Sequence, residues 1–213
     1  MLKQSDSRVE IKGLEAFFYD RLMDILTLGT YPFFIRKAIK NMNIQKGDAL
    51  LELGSGTGRN ICLMNKYSKS EIRGFDIGEI MLAKSKKKCK KYSNTIIEKV
   101  SILDPIHLKN HFNKILISFV FHGFTQENRL KILDNTYKAL KNNGHFFILD
   151  YNPINLKEAS WLVQFFYKKI ECPLAEDFIK QDWNTIFAKH KFKIVKETFY
   201  YKKYVRLLEL KKI

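Results

Sequence analysis

Along this chain, short apolar runs alternate with segments in which apolar residues recur at helical spacing. Five short apolar runs predict strands, at residues 49–53, 71–75, 96–103, 114–119 and 145–150. Helical spacing of apolar positions predicts three helices between them, at residues 58–67, 79–91 and 126–141. Because strands and helices alternate, the pattern predicts βαβ units and a parallel sheet. In the tail from Phe192 to Leu210, apolar and polar residues alternate. This pattern predicts two final strands on either side of residues 200–203.

The length of 213 residues suits one α/β domain with a full core. No internal repeat or low-complexity linker interrupts it. The three cysteines, Cys62, Cys89 and Cys172, lie far apart without metal-ligand spacing, which argues against structural zinc or a disulfide framework and favours a reducing cytoplasm. Residues 1–10 are polar, so we expect no signal peptide, and no apolar run reaches the roughly 18 residues of a membrane span.

The formal charge of +16 predicts attraction to phosphate-bearing surfaces, either nucleic acid or an anionic membrane, or to an acidic partner. The densest basic run is Lys84–Lys91, on a predicted helix. With cations at nearly every position, most of these side chains must point to solvent. A solvated helix face therefore explains this run as well as a binding role does.

The most informative segment is Leu51–Gly58, where an apolar run ends in Glu52 and three glycines follow at alternate positions. Such a strand-to-helix turn lets a ligand approach the backbone closely and presents N–H groups at a helix start. The dinucleotide pattern G-x-G-x-x-G would need glycine where Arg59 stands. A phosphate-binding P-loop would need Gly-Lys-Ser/Thr, which is absent.

The acid-x-Gly-x-Gly-x-Gly pattern resembles the first motif of the class I S-adenosylmethionine (SAM) methyltransferases. The resemblance implies an α/β fold with a doubly wound, mostly parallel seven-stranded sheet, helices on both faces and a terminal antiparallel hairpin. It also implies SAM as the cofactor and S-adenosylhomocysteine as its product. On this basis residues 46–150 would be the SAM-binding core, 1–45 a helical cover, 151–190 a substrate lid and 191–213 the hairpin, all within one domain.

Two acids after later strands support the resemblance. Asp76, at the end of the second apolar run, would accept the hydroxyl hydrogens of the adenosyl ribose, as a carboxylate can; an ordinary helix N-cap is the alternative. Val100–Asp104 reads as an apolar strand whose final acid resembles the family's contact to the adenine amino group. A turn acid before Pro105 is the alternative there.

Two further segments complete a series of five motifs over residues 49–150. Phe112–His122 resembles the family's fourth strand, with Asn113 in place of the usual Asp. Leu140–Gly144 resembles its Leu-Lys-Pro-Gly-Gly turn, and Asn143 replaces a glycine there; asparagine is the best substitute at positive φ. The resemblance implies a set of cofactor-binding residues: Glu52, Gly54, Ser55, Gly56, Gly58, Asp76, Ile77, Met81, Leu103, Asp104, Ser118 and Phe119.

Two segments outside the motifs are expected to determine which acceptor molecule binds. Residues 16–29 resemble the N-terminal segment of the quinone-biosynthesis C-methyltransferases, which would place Tyr19 near the donor; a core amphipathic helix is the alternative. Residues 161–167 are apolar on nearly every face, so this helix is covered by protein, covers a substrate or lies against lipid. We predict that Trp161, Phe165 and Phe166 form a lid, and that Tyr151 also contacts the acceptor.

Methyl transfer needs a base only when the acceptor must lose a proton. His122, at the tip of the fourth strand, is the candidate, with Tyr19 and Tyr151 in reserve; a His that caps a turn or hydrogen-bonds SAM is the alternative. The sequence predicts a cytoplasmic enzyme, peripheral at the inner membrane face, that methylates a hydrophobic or lipid-like molecule such as a quinone precursor or an amine headgroup. The alternatives are a nucleic-acid methyltransferase and a SAM-binding protein that does not methylate. Against the first, the Asn/Asp-Pro-Pro-aromatic motif of amino-methylating enzymes is absent after strand four.

Overall fold

A computed structural model describes residues 3–7, 24, 29–159, 161, 163–164 and 173–213. Seven strands form one sheet in the order β3-β2-β1-β4-β5-β7-β6. The strands are β1 Leu50–Leu53, β2 Ile72–Asp76, β3 Thr95–Lys99, β4 Phe112–Ser118, β5 Leu140–Tyr151, β6 Phe192–Tyr200 and β7 Val205–Lys212. The α-helices of the described residues are α1 Tyr31–Asn41, α2 Arg59–Met64, α3 Glu79–Cys89, α4 Gln126–Ala139, α5 Pro173–Ile179 and α6 Trp183–Lys189.

Strand β1 lies near the centre of the sheet, parallel to β2 and β4. Strand β7 runs antiparallel to both β5 and β6, so that Val205 at its start lies opposite Tyr151 at the end of β5. The turn between β6 and β7 therefore lies at the same edge as the carboxyl ends of the parallel strands. The predicted seven-stranded sheet with its terminal hairpin is confirmed.

The helices cover both faces of the sheet. Helices α1, α2 and α3 share one apolar cluster with Leu116 of β4, whereas α4, α5 and α6 share the other with Ile115 and Ile117. All three of these β4 side chains are buried. A strand that is buried on both faces carries apolar residues without alternation, which explains why the parallel strands read as continuous apolar runs. No helix of the described residues has the length and apolar character needed to cross a bilayer.

The sequence-based prediction for Val100–Asp104 is wrong in one respect. Strand β3 ends at Lys99, and the amide of Val100 donates to the carbonyl of Asp76, beyond which the chain turns. The amide of Asp104 donates to the carbonyl of Ser101 at 3.1 Å, and the Ser101 hydroxyl accepts from the amide of Leu103. This local hydrogen bonding replaces the strand, because a serine hydroxyl can bond to backbone groups two residues away. The positive φ predicted for Asn143 is confirmed at +62°. The Leu140–Gly144 segment, predicted as a turn before the fifth strand, is instead the first part of β5, where the pairing with β4 shifts in register.

Candidate active site

The glycine turn after β1 combines tight packing with one open position. All three of its glycines have positive φ, at +70° for Gly54, +50° for Gly56 and +75° for Gly58. A Cβ on Gly54 would lie 2.7 Å from Cγ2 of Val120, and one on Gly58 would lie 2.4 Å from Oγ of Ser85. A Cβ on Gly56 would meet nothing within 4 Å. Gly54 and Gly58 are therefore required by packing, while Gly56 borders open space where a ligand could lie.

The Asp76 carboxylate joins this turn to the start of α3. Its Oδ2 accepts the N–H of Gly56 at 2.7 Å, and its Oδ1 accepts the N–H of Gly78 at 2.8 Å. The N-cap residue of α3 is Gly78, so Asp76 is not the helix N-cap that the alternative interpretation required. Each carboxylate oxygen has a second lone pair. Asp76 can therefore hold the turn and still accept hydroxyl groups.

Glu52 has a buried carboxyl group, and one of its two oxygens has no hydrogen-bond partner among the described residues. Glu52 lies in β1, just before the glycine turn, and is 1% exposed. Its Oε1 accepts a hydrogen bond from Nδ2 of Asn60 at 2.7 Å. Across the described residues, nothing donates to Oε2. Burial raises the pKa of Glu52 to about 8; the Asn60 hydrogen bond opposes this, and the charge of Asp76 adds to it. A buried oxygen without a partner is a candidate contact for a ligand group that donates hydrogen bonds.

The residues predicted to surround the adenine are less closely assembled than the glycine turn, Asp76 and Glu52. Ile77, which follows Asp76 in the chain, is half exposed, and Met81 in the first turn of α3 is buried. Ser118 ends β4, and Phe119 follows it with φ +53°, a conformation that is strained for phenylalanine. Asp104 is exposed in the turn after β3, beside the half-buried Leu103. It lines a cleft of about 290 Å³, of which neither the glycine turn nor His122 forms a wall.

His122 is paired with a residue that the sequence did not identify as a partner. It lies on the Phe121–Gly123 turn after β4, and its Nδ1 is 2.7 Å from Oδ1 of Asp150 at the end of β5. The backbone N–H of His122 donates to Oδ2 of Asp150, and both side chains are buried. A carboxylate only accepts hydrogen bonds, so in a neutral imidazole this contact favours the proton on Nδ1 and the lone pair on Nε2.

A buried arginine holds the turn that carries His122. The Arg129 side chain donates to the carbonyl of His122 at 2.8 Å and to that of Leu174 at 2.7 Å. It also pairs with Asp177 of α5 at 2.6 Å. Near the N-terminus, Nε2 of Gln4 donates to the carbonyl of Gly123. The His122 turn is thus fixed from both α4 and α5.

A row of aromatic rings runs from His122 to α1. The Tyr151 ring is 4.8 Å from the imidazole of His122 and 6.1 Å from the Phe119 ring, centre to centre. Tyr31 and Phe34 of α1 lie 6.4 Å and 6.1 Å from Phe119. This row forms an aromatic wall at the carboxyl edge of the sheet, in which Phe119 and Tyr151 are half-buried and Tyr31 and Phe34 are buried.

The sequence missed several residues of this site, namely Asn60, Asp150, Arg129 and Tyr31. The available signal for Asp150 was an acid at the end of an apolar strand, but its pairing with His122 depends on β4 and β5 being neighbours. The predicted acceptor residues Tyr19, Phe165 and Phe166 lie outside the described residues. Trp161 is 73% exposed, a position open to contact with a substrate or a surface.

Family comparison agrees with this geometry. A family model described as a methyltransferase domain matches residues 44–199, most of the chain. The chain therefore belongs to the methyltransferase-domain family. Its fold and motifs are those of the SAM-dependent methyltransferases. The predictions of the family, of the fold and of SAM as the cofactor are confirmed at the level of the domain.

Curated relatives resemble the chain over part of their length. The ubiquinone/menaquinone biosynthesis C-methyltransferase UbiE of Photorhabdus laumondii is 28% identical over 147 residues, which cover 63% of this chain and 55% of that protein. A demethylmenaquinone methyltransferase of Bacteroides fragilis is 28% identical over 172 residues, covering 77% and 67%. The chain thus spans little more than half the length of the first of these relatives.

Solved structures share the fold. A SAM-dependent methyltransferase from Aquifex aeolicus matches with a TM-score of 0.65 at 18% identity, covering 84% of this chain and 89% of that one. The MccD protein matches with a TM-score of 0.66 at 19% identity, covering 85% and 96%. At these identities the likeness supports the architecture and not a particular substrate.

Proposed function

We propose that this protein transfers the methyl group of SAM to an apolar small molecule of the quinone-precursor type, with His122 as the base. The observation that carries the proposal is the buried His122–Asp150 pair at the neighbouring tips of β4 and β5. Gly54 packs on Val120, so the turn bearing His122 lies directly against the glycine turn. A base placed there is next to the expected donor site.

The donor would be held by residues that already have suitable groups. SAM supplies an activated methyl group on a sulfonium, so the protein needs mainly to orient the acceptor and exclude water. Glu52 would accept from the ammonium of the methionine end, and Asp76 from the ribose hydroxyls. Gly56, which borders open space, would allow the backbone to approach the ligand.

The role of His122 is to remove the proton that the acceptor loses. As the bond from the acceptor to the methyl carbon forms and the bond from carbon to sulfur breaks, Nε2 would take a proton from a hydroxyl or activated carbon of the acceptor. Asp150 would stabilise the imidazolium that results. In the aromatic wall, the half-buried rings of Phe119 and Tyr151 would provide apolar surface for the ring of the acceptor. The names of the relatives support a quinone-type acceptor.

The test is transfer of labelled methyl groups from SAM to a panel of acceptors. The panel would contain demethylated benzo- and naphthohydroquinones with isoprenoid tails, phosphatidylethanolamine and transfer RNA. We expect label on the hydroquinones, lost in His122→Asn. Labelling of RNA or of the amine lipid alone would contradict the proposal, as would undiminished transfer by His122→Asn.

A further inference from the structure

The outward face of α1 carries cations around one exposed aromatic ring. Phe34, Ile35 and their apolar neighbours on this helix are buried against the sheet. On the opposite side lie exposed residues at helical spacing: Phe33, Arg36, Lys37 and Lys40. No acidic residue occurs in the helix. The Phe33 side chain is 70% exposed, and the Arg36 guanidinium carbon lies 5.7 Å from the centre of its ring.

A second basic and aromatic element adjoins this helix. The Tyr201–Lys203 turn joins β6 to β7, and the ring of Tyr201 lies 5.0 Å from that of Phe34. All three turn residues have positive φ, at 46°, 53° and 72°, which is strained for residues other than glycine. All three are also exposed. The strained turn thus adds the cations Lys202 and Lys203, and one more aromatic ring, beside α1.

This surface lies at the same edge of the molecule as the candidate active site. Phe34 of α1 contacts both Tyr201 of the turn and Phe119 at the tip of β4. Val205, just after the turn, lies opposite Tyr151 at the end of β5. The inner side of this surface therefore continues into the aromatic wall beside His122.

We propose that the outer face of α1, together with the Tyr201–Lys203 turn, docks on an anionic membrane. Arg36, Lys37 and Lys40 would pair with lipid phosphates while Phe33 enters the boundary between headgroups and acyl chains. The three cations would be attracted to anionic lipids, and the one exposed ring would insert at the level of the headgroups, where aromatic side chains are favoured. A nucleic acid would use the same cations, but Phe33 projects from a convex helix and not from a groove in which bases could stack.

The purpose of the docking rests on the proposed function. If the acceptor is apolar and dissolved in the bilayer, docking through α1 brings the aromatic wall to the membrane that holds it. Binding to the membrane itself requires no methyl transfer. It can therefore be measured independently of activity.

The experiment is co-sedimentation with vesicles of mixed phosphatidylglycerol and phosphatidylcholine, at low and high salt, against vesicles of phosphatidylcholine alone. The variant Arg36→Glu/Lys37→Glu/Lys40→Glu removes the cations of the α1 face. The matched control Lys86→Glu/Lys87→Glu/Lys90→Glu makes the same charge change at exposed positions in and just after α3. A third variant, Phe33→Ser, removes the ring alone. Affinity for S-adenosylhomocysteine and the thermal midpoint check that each variant is folded.

We expect the wild type to bind the anionic vesicles and to release them at high salt. The α1 triple variant should lose about 30-fold or more in vesicle affinity and Phe33→Ser about fivefold or more, while the α3 control loses clearly less. Equal losses in the two triple variants would show diffuse attraction by net charge and overturn the proposal. So would an absence of vesicle binding, or tight RNA binding that the α1 variant alone abolishes. None of these results would alter the donor site, which S-adenosylhomocysteine affinity reports separately.

Discussion

Asn60 donates from Nδ2 to Oε1 of the buried Glu52 at 2.7 Å, and within the described part of the chain the other carboxyl oxygen has no donor. Burial raises the pKa of Glu52 to about 8, so the carboxyl is mostly protonated near neutral pH. The chain thus keeps an acid neutral at the bottom of the glycine turn. A cationic ligand group would reverse this preference, since it favours the charged form.

The first prediction concerns stability in the absence of ligand. The folded pKa of Glu52 lies above its ordinary value of 4.5, so its protonated form stabilises the fold below about pH 4.5 and this contribution is lost as the pH rises through 8. Glu52→Gln cannot ionise, and its thermal midpoint should rise relative to wild type between pH 5 and pH 9. The difference is at most several kcal/mol, since each pKa unit is worth about 1.4 kcal/mol. Parallel midpoint curves for the two proteins would contradict the assignment.

Proton release on ligand binding is the second prediction. If the ammonium of S-adenosylhomocysteine pairs with Glu52, binding near pH 7 should displace close to one proton from the wild type. Titration calorimetry in phosphate and in Tris buffers measures this number, because the two buffers take up protons with different enthalpies. Glu52→Gln should release almost none. Equal release by both proteins would place the ligand's charge elsewhere.

Third, Asp150→Asn should slow methyl transfer without weakening donor binding. An amide in place of the carboxylate can no longer fix the Nδ1 proton of His122 or stabilise imidazolium, and general-base catalysis contributes about 10²–10⁴-fold. We expect a lower single-turnover rate, a changed pH profile through the imidazole range and an unchanged affinity for S-adenosylhomocysteine. The matched control is Asp134→Asn, since Asp134 pairs with His190 at the same 2.7 Å on the surface. Equal rates in both variants would reduce the buried pair to a structural role.

The glycine turn supplies the fourth prediction. Gly58→Ala places a Cβ 2.4 Å from Ser85 Oγ, so we expect it to lower the thermal midpoint strongly. Gly56→Ala meets no atom within 4 Å and should cost only about 1–2 kcal/mol for its positive φ. Its effect should fall instead on S-adenosylhomocysteine affinity, because the added methyl group would occupy the open space in which the ligand is proposed to lie. Melting and calorimetry on both variants test this contrast, and full ligand affinity in Gly56→Ala would remove the reason for placing a ligand there.

The sequence predicted the sheet, the terminal hairpin and the positive φ of Asn143, because those features depend on periodicity and on the conformational range of single residues. It also indicated Glu52, the glycines and Asp76, which share one short motif series. It could not identify Asp150 or Asn60, whose roles depend on which strands are neighbours and on a side chain reaching across a turn. It placed a strand at Val100–Asp104, where serine-mediated local hydrogen bonds favour a turn.

Calorimetric titration with S-adenosylhomocysteine tests whether the glycine turn and Asp76 form a SAM site. The wild type should bind the ligand, and Asp76→Ala should bind it more weakly by about 1.5–3 kcal/mol, the range for a hydrogen bond to a charged group. Part of that loss would come from the Gly56 and Gly78 amides that Asp76 holds. Undetectable binding by the wild type, or equal affinity in the variant, would contradict the account.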